Sequence, residues 1–596
     1  MRAGEYDKYG GALLYNYGAE HWAVKLTAAV ERQNEGYLDN LAGGDTWDRD
    51  LDRYGVHLLW EPNEIFTAEA IVDYSNLDGT PSGVFLTDID SKDTFCFLTQ
   101  VFDSLGVPPG GVYCSGKPGE PATGDRDKVA LDGKVWNELE QWQTTFRLTA
   151  NVTEDHTLTY IGSWLTMDDD QQHDGDGTPY EIYHFRRWGD FDQVTHELRL
   201  SRESGSPLTW QVGLYQEFAE GTLNQHTVLT LLGCDLGGDP CTYEFTRSSS
   251  DTYSIYGEAD YALLDERLVF TAGARYINQT KKLDREVFNI PLGSFDVGPH
   301  AGGTRTDSDI IYRLGARYHF TDDVMGYLMT STGFRSGGLS PRAQTPQVLE
   351  RGYEPETLTN YEAGLRTTLL DGTLNFNVTA FRMDYEDMQI ELAVPSLDEQ
   401  GNVVGTGTQL AIENAGEARF EGVEVEFAWM AADWWRLSGN LGWLDAEYEE
   451  LFVNIWGDQD ANGNLLPPQD ESNLEPRRAP EWNYGLTSTM TFAAGGGELS
   501  WRISYSWTDD YEGTITNYPG SAIEDYGILD SSLIYRVDRW QFSLFGRNLT
   551  DEDAWTHTYV VNPVRPTATD PAPGTLWRFA LRRPPREIGA ELLYQF

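Results

Sequence analysis

Three features of the sequence predict an all-β fold, a transmembrane antiparallel β-barrel of the 22-strand type with about 21 strands within this chain. Apolar and polar residues alternate with a period of two in segments spread along the 596 residues. Short turns alternate with long polar connections, and the last eleven residues form an amphipathic strand. Together these features are typical of a barrel with a lipid-facing side and a water-facing side.

The final strand, residues 586–596, has the clearest pattern. One face carries only apolar residues, namely Ile588, Ala590, Leu592, Tyr594 and Phe596. The other face is mostly polar and holds Glu587, Gly589, Glu591, Leu593 and Gln595. A strand that crosses a bilayer at a tilt needs about 9–11 residues, which this segment supplies. The pattern predicts the closing strand of an outer-membrane barrel.

Internal segments show the same alternation, at residues 208–214, 268–276 and 373–380. In each of them the second face is small or polar, as a water-filled or plugged lumen requires. Strands of a soluble sandwich are usually about 5–6 residues long, and the strands here are longer. A β-propeller would repeat at a fixed period, and the sequence shows no such repeat.

Short turns and long connections alternate along the chain. The turns are Glu61-Pro-Asn63, Thr321-Asp-Asp323, Asp371-Gly372, Ala431-Ala-Asp433 and Val537-Asp-Arg539. The long polar connections are residues 77–134, 221–245, 279–306, 336–352, 391–407 and 450–478. Bacterial outer-membrane barrels have short turns in the periplasm and long loops outside.

The parity of the strands predicts that one is missing. The first strand lies near residues 9–18, and the tight turn Gly18-Ala-Glu20 after it belongs to the periplasmic end. Single-chain bacterial barrels have an even number of strands and both ends in the periplasm. We therefore expect the first barrel strand to be absent. The last strand would then leave a gap or close by strained pairing with residues 9–18.

The composition excludes several classes of protein. The 43 basic and 95 acidic residues give a net charge of −52, which disfavours nucleic acid and anionic lipid headgroups as ligands. Disorder is the usual explanation of such acidity, but 13% aromatic residues and 19 Trp argue against it. No run of about 18 apolar residues predicts a transmembrane helix. No signal peptide opens the chain, which suggests a truncated exported protein.

The four cysteines form two local pairs, Cys96 with Cys114 and Cys234 with Cys241. Both pairs lie in Gly-, Pro- and Asp-rich connections, and neither has the spacing of a zinc site. Oxidised pairs suit an extracytoplasmic protein. We expect two loop disulfides, with free thiols as the alternative.

Several segments resemble those of TonB-dependent receptors, and the resemblance covers nearly the whole chain. Each motif is weak alone, but their order and spacing together are specific. They are Thr332-Gly-Phe-Arg-Ser-Gly-Gly338, Tyr353-Glu-Pro-Glu356, Asn360-Tyr-Glu-Ala-Gly-Leu-Arg366, Asn414-Ala-Gly416, Glu421-Gly-Val-Glu-Val-Glu426, Asn548-Leu-Thr-Asp-Glu552 and the strand from Pro585 to Phe596.

The resemblance implies a Gram-negative outer-membrane transporter that takes up a ferric siderophore or a similar scarce nutrient. Residues 1–596 would be its barrel domain, inserted by the barrel-assembly machinery through the strand ending in Phe596. In the family, an N-terminal plug fills the lumen and a short box contacts TonB. Neither is visible in this sequence, so contact with TonB would need a plug that this chain lacks. No cofactor and no enzymatic activity are expected.

Candidate binding residues are few. Arg335 and Arg547 lie at strand ends that the turn pattern places outside, where they would face a substrate or pair with the abundant carboxylates. The acidic surplus itself favours neutral or cationic cargo over bare anions. Haem is disfavoured, because the family's haem transporters carry a different motif around Phe334-Arg335. No catalytic constellation stands out.

A weak calcium candidate occurs at Asp458, Asp460 and Asn462, where alternate oxygen ligands precede Gly463. The twelfth position is Gln469 rather than Glu, so the bidentate ligand is missing, and an exposed turn is the alternative. The aromatic residues Trp434, Trp435, Trp501 and Trp540 are expected in interfacial girdles.

Three functions remain open from the sequence. The leading hypothesis is the translocation barrel of an energised transporter. The alternative is a passive porin-like pore or a surface adhesin on the same barrel, and a soluble β-rich enzyme ranks third. The sequence does not identify the cargo.

Overall fold

The structure, a computed structural model, describes residues 1–117, 119–202, 206–229, 242–289, 301–343, 345–397, 403–456, 458, 466–561, 564–571 and 573–596. Within these residues regular structure is mostly β-strand, with two short helices, α1 (Thr94–Ser104) and α2 (Pro346–Arg351). No helix in this described part of the chain is both long and apolar enough to cross a membrane.

The described residues form a closed antiparallel barrel of 22 strands. In chain order the strands are β1 Arg2–Gly4, β2 Lys8–Gly18, β3 Trp22–Gln33, β4 Arg49–Trp60, β5 Phe66–Gly79, β6 Trp136–Asn151, β7 His156–Asp174, β8 Tyr183–Arg202, β9 Leu208–Leu229, β10 Thr242–Leu263, β11 Leu268–Asn289, β12 Ala301–Thr321, β13 Val324–Arg335, β14 Glu356–Leu369, β15 Leu374–Leu397, β16 Val403–Ala432, β17 Trp435–Val453, β18 Trp482–Ala494, β19 Gly497–Thr508, β20 Tyr526–Val537, β21 Trp540–Arg547 and β22 Glu587–Tyr594. Each pairs with its neighbours, and β22 pairs with β1. The predicted 22-strand type is confirmed.

The seam between β1 and β22 differs from the expectation. β1 has three residues, whereas the other 21 strands have eight or more. Its pairs are Arg2 with Glu591, Ala3 with Ala590 and Gly4 with Gly589. The expected absence of the first strand, and the expected closure by residues 9–18, are therefore wrong. A tight turn at Tyr6 and Asp7, both with positive φ, folds β1 back onto β2, and this turn was too short to recognise from the sequence.

The outward faces of the strands are apolar, as the alternation predicted. Leu214 is 54% exposed and Leu544 is 60% exposed, which suits side chains that contact lipid. The apolar residues of the last strand follow the same pattern, with Ile588 and Tyr594 exposed beside Leu544. Trp434, Trp501 and Trp540 are exposed near the ends that carry the tight turns, where interfacial aromatic residues are typical.

Several predicted loops are partly strand. β9 and β10 have 22 residues each, and β15 and β16 have 24 and 30. About 9–11 residues cross a bilayer, so these hairpins continue beyond the lipid. Parts of the predicted loops 221–245, 279–306 and 391–407 belong to them. In the outer part of β15 the alternation continues, but its apolar face packs against other protein: Ile390, Leu392 and Val394 lie in a buried core with Ala411 and Leu451.

The outer connections pack into a layer with its own apolar cores, which we call the loop layer (residues 34–48, 80–117, 119–135, 175–182, 466–481, 509–525, 548–561, 564–571 and 573–586). It contains short strands at Leu38–Asn40, Asp45–Thr46, Phe85–Leu86, Lys128–Val129, Gln469–Asp470, Tyr511–Glu512, Ala522–Ile523, Trp555–Val561 and Trp577–Arg582. One core joins Phe95 of α1 to Ile182 and Trp577. The main buried contacts of this part of the chain therefore lie above the barrel and join distant loops.

Candidate functional site

A cavity of about 980 Å³ lies against the lumen side of β8 to β13 and reaches the outer end of β13. Successive side chains of a strand point to opposite faces, so every second residue of each strand reaches the lumen. On β11 these lumen residues include Arg275, Gln279 and Lys281, all of which line the cavity. The site is therefore built from the polar halves of the alternating strands.

Three cationic side chains line this cavity without a salt bridge to any residue that the structure describes: Arg275, Lys281 and Arg335. Arg275 donates from Nε to Oγ of Ser254 at 3.0 Å, and its guanidinium lies 5.2 Å from the ring centroid of Tyr215. Lys281 is half-buried and Arg335 is exposed. The sequence pattern singled out only Arg335. The one signal for Lys281 was Lys281-Lys282, the only adjacent lysine pair in the sequence.

The carboxylates of the same cavity already have partners. The Tyr256 hydroxyl donates to Glu197, and the Tyr215 hydroxyl donates to Glu217 at 2.8 Å. The third carboxylate, Glu258, forms a salt bridge with Arg313, whose Nη1 lies 3.7 Å from its Oε2. The cavity therefore holds four cationic side chains, Arg275, Lys281, Arg313 and Arg335, against three carboxylates, although the whole chain carries a net charge of −52.

Arg547 lies apart from this cavity. It ends β21 beside a second cavity of about 820 Å³ at the barrel seam. Its Nη1 is 3.9 Å from Glu587, which also contacts Lys8 Nζ and Arg2 Nη2, each at 2.8 Å. Charge pairing with a carboxylate thus applies to Arg547 and not to Arg335. The two candidates do not form a common site, and their role in binding stays a prediction.

The structure contains a disulfide between Cys96 and Cys114, whose Cα atoms are 5.2 Å apart. It joins the start of α1 to the loop that follows the helix, and Cys96 is fully buried. The other predicted pair, Cys234 and Cys241, lies outside the described residues.

A buried carboxylate, Asp88, supports the helix that carries this disulfide. It accepts hydrogen bonds from the backbone N–H of Cys96 at 2.9 Å and of Arg578 at 2.8 Å. Burial, and then the nearby charge of Asp93, raises the pKa of Asp88 to about 7. The group is therefore largely protonated in the folded loop layer at mildly acidic pH.

Asp458, the first residue of the calcium candidate, accepts a hydrogen bond from Nε of Arg565 at 2.7 Å. Arg565 also pairs with Glu471. Asp460 and Asn462 lie outside the described residues, so calcium binding there stays a prediction.

A cluster that the sequence pattern did not reveal, with one exposed member, Asp132, and three buried ones, lies at the outer ends of β7 and β8. It consists of Asp132, Asp174, Asp176 and His184. The available signal was the string Asp174-Gly-Asp-Gly-Thr178, a short run of oxygen ligands around glycine. The string alone did not indicate that Asp132 and His184 lie beside it.

The sequence matches the family described as "TonB dependent receptor-like, beta-barrel" over residues 4–549. Among curated relatives, the pesticin receptor of Yersinia pestis is 24% identical over 386 residues, which cover 63% of this chain and 49% of that protein. The metal-pseudopaline receptor of Pseudomonas aeruginosa is 30% identical over 135 residues, 23% of this chain and 16% of that protein. The chain thus spans about half the length, or less, of these relatives.

Solved structures share the fold. The ferric yersiniabactin uptake receptor of Yersinia pestis superposes with a TM-score of 0.75 at 17% identity, over 100% of this chain and 79% of that one. The siderophore receptor PiuA of Acinetobacter baumannii gives 0.72 at 15% identity, over 100% of this chain and 80% of that one.

Proposed function

The chain belongs to the TonB-dependent receptor family, and from this premise we propose that it is the translocation barrel of a transporter for an anionic metal chelate of the ferric siderophore class. The family and the 22-strand barrel locate it in the outer membrane. The observation that carries the proposal is the unpaired positive charge of Arg275, Lys281 and Arg335 on one wall of the lumen.

The chemistry of these side chains suits an anionic chelate. A guanidinium binds carboxylate or catecholate oxygens with two parallel hydrogen bonds, and a lysine adds a point charge. The cavity, at about 980 Å³, lies within the range of about 300–1,000 Å³ typical of small-molecule sites. Two structural relatives are named as receptors for ferric yersiniabactin and for ferric catecholates, which supports cargo of this class.

This proposal departs from the expectation that the acidic composition favours neutral or cationic cargo. Net charge describes the whole surface, whereas a ligand in a narrow lumen responds mainly to charges within about 10 Å at 0.1 M salt. The nearby carboxylates Glu197, Glu217 and Glu258 are engaged by tyrosines or arginine. We also propose TonB as a partner for energy coupling. In this family TonB acts through the plug domain.

The test is a binding titration of the purified full chain in detergent, followed by tryptophan fluorescence. The ligands are ferric citrate, a ferric catecholate and a neutral ferric hydroxamate. We expect the anionic chelates to bind more tightly than the neutral one, with affinity that falls as salt is added. Equal binding of all three ligands, or tighter binding of the neutral one, would overturn the proposal.

A triple variant, Arg275→Gln with Lys281→Gln and Arg335→Gln, should lose most of the affinity for the anionic ligands. The matched control is Arg317→Gln. Arg317 lies on β12 and faces the lumen like the other three, but its guanidinium pairs with Asp260 at 2.9 Å. Swelling of liposomes in sugar solutions, measured in parallel, separates this function from the porin-like alternative, which requires rapid sugar flux.

A further inference from the structure

We propose that a divalent metal site of the transition-metal class lies where the loop layer meets the outer ends of β7 and β8, distinct from the lumen cavity and independent of the proposed transport function. The ligands are three carboxylates and one imidazole: Asp132, Asp174, Asp176 and His184. They come from three chain segments, the loop before β6, the connection between β7 and β8 with the end of β7, and the start of β8.

The ligand atoms converge on one point. One donor atom from each of the four residues lies within 4.8 Å of the other three. Nε2 of His184 is 3.0 Å from Oδ1 of Asp132 and 4.0 Å from Oδ2 of Asp176. Two ligands at about 2.0–2.2 Å from a zinc ion are roughly 3–3.5 Å apart at the usual angles. The observed spacings therefore require only small movements to enclose an ion.

His184 supplies an independent indication of a ligand. Its side chain has no exposed surface, and neither ring nitrogen makes a hydrogen bond of normal geometry within the described residues. The contact of Nε2 with Asp132 lies off the direction in which an N–H would point. An unsatisfied buried polar group destabilises the folded state, and coordination to a metal ion would satisfy it.

The charges of the cluster also lack compensation. Asp174 and Asp176 are 2% and 0% exposed, and no described lysine or arginine forms a salt bridge with either. Carboxyl groups buried this close together repel one another when ionised. A divalent cation would remove that repulsion.

Backbone hydrogen bonds hold the carboxylates in place around this point. Asp176 accepts from the N–H of Thr178 and of Tyr183, each at 2.8 Å. Asp174 accepts from the N–H of Asp132 at 2.9 Å. Longer bonds also reach these carboxylates, at 3.2–3.4 Å from the N–H groups of Gly133, Asp176 and Gly177 to Asp174 and at 3.3 Å from Ile182 to Asp176. The short bonds orient the ligands, and a bound ion would replace the longer ones. Orienting contacts of this kind are typical of metal ligands.

The imidazole decides the class of ion. Calcium and magnesium take oxygen ligands, whereas imidazole nitrogen suits zinc, iron, nickel or copper. A set of three carboxylates and one histidine therefore favours a transition-metal ion over calcium, and zinc is the practical probe because it is redox-inert.

The experiment uses the full chain, prepared without a polyhistidine tag, stripped with a chelator and titrated with Zn²⁺ by calorimetry. We expect about one Zn²⁺ per chain and a higher unfolding temperature in its presence. The variant Asp132→Asn keeps the backbone bonds of Asp174 and Asp176 and should weaken binding about 10–100-fold. Asp125→Asn is the matched control, since Asp125 lies in the same loop and pairs with Lys128 at 2.7 Å.

A second variant, His184→Gln, separates loss of a ligand from loss of folding. It should abolish the Zn²⁺-dependent rise in unfolding temperature while the barrel remains folded by circular dichroism. Absence of Zn²⁺ binding to the native chain would overturn the proposal, and so would equal binding by the native chain and both variants. Preference for Ca²⁺ over Zn²⁺ would refute the assigned class of ion.

Discussion

Nζ of Lys8 lies 2.8 Å from Oε2 of Glu587, and this ion pair joins the second strand of the barrel to the last. Both side chains are buried, with exposed fractions of 8% and 3%. Arg2 of β1 reaches the other carboxylate oxygen, also at 2.8 Å. The three-residue strand β1 makes few backbone bonds, so this cluster of side chains reinforces the seam.

Glu587→Gln should destabilise the barrel by about 3–5 kcal/mol, because it leaves Lys8 buried without a counter-charge. The free energy of unfolding in a guanidinium titration measures the effect. Glu498→Gln is the control, since the Arg536–Glu498 pair on neighbouring strands is half-exposed with a separation of 3.4 Å. An exposed pair contributes at most about 1 kcal/mol. Equal effects of the two substitutions would show that the seam does not depend on the pair.

Arg335→Gln should weaken binding of an anionic ferric chelate about tenfold, a loss of about 1.4 kcal/mol. Arg335 lines the lumen cavity without a salt bridge to a described residue. Arg547→Gln should leave the affinity unchanged, because Arg547 lies at the seam beside Glu587. The fluorescence titration described above measures both. A larger loss for Arg547→Gln would locate the ligand at the seam cavity instead.

The stability of the loop layer should fall as the pH rises from about 4 to about 7. The pKa of Asp88 is about 7 in the folded protein, against 3.8 for an unperturbed group. The folded form therefore keeps a proton that the unfolded form releases, so the stabilisation is complete below the unfolded pKa and is lost through the folded pKa. Hydrogen exchange of residues 84–105 across this range provides the measurement.

Asp88→Asn tests the assignment of that pH dependence, because the amide is neutral at every pH. Protection of residues 84–105 should then vary little between pH 4 and pH 7. Protection that rises with pH in the native chain would contradict the expected sign. A variant that keeps the full pH dependence would assign it to another group.

Reduction of the Cys96–Cys114 disulfide should loosen α1 without opening the barrel. The cysteines are 18 residues apart, and a closed loop of about this size contributes roughly 3 kcal/mol in the chain-entropy model. Hydrogen exchange of α1 should accelerate in reductant or in a Cys96→Ala, Cys114→Ala variant. Exchange of β9 and β10 serves as the internal control and should not change. A uniform increase in both regions would indicate that the loop layer and the barrel unfold together.

The sequence alone predicted the class of barrel, the lipid-facing sides and most of the tight turns. These features are encoded locally, since the alternation of apolar and polar residues in β9, β11 and β15 follows directly from the geometry of a strand. The even strand number followed from the rule for single-chain bacterial barrels, because counting along the chain found only about 21 strands. Local patterns failed in the outer parts of β15 and β16, which continue as strands beyond the membrane and bury their apolar face against other protein rather than lipid.

The tertiary structure decided how the barrel closes and which charged groups lack partners. The contact between Lys8 and Glu587, and the cluster of Asp132 with His184, join residues that the sequence keeps far apart. Whether a cation such as Lys281 is unpaired depends on the side chains of neighbouring strands. The periodicity of a sequence specifies the direction of a side chain from its own strand. Its partners are set by the register of the other strands and by the packing of the loops.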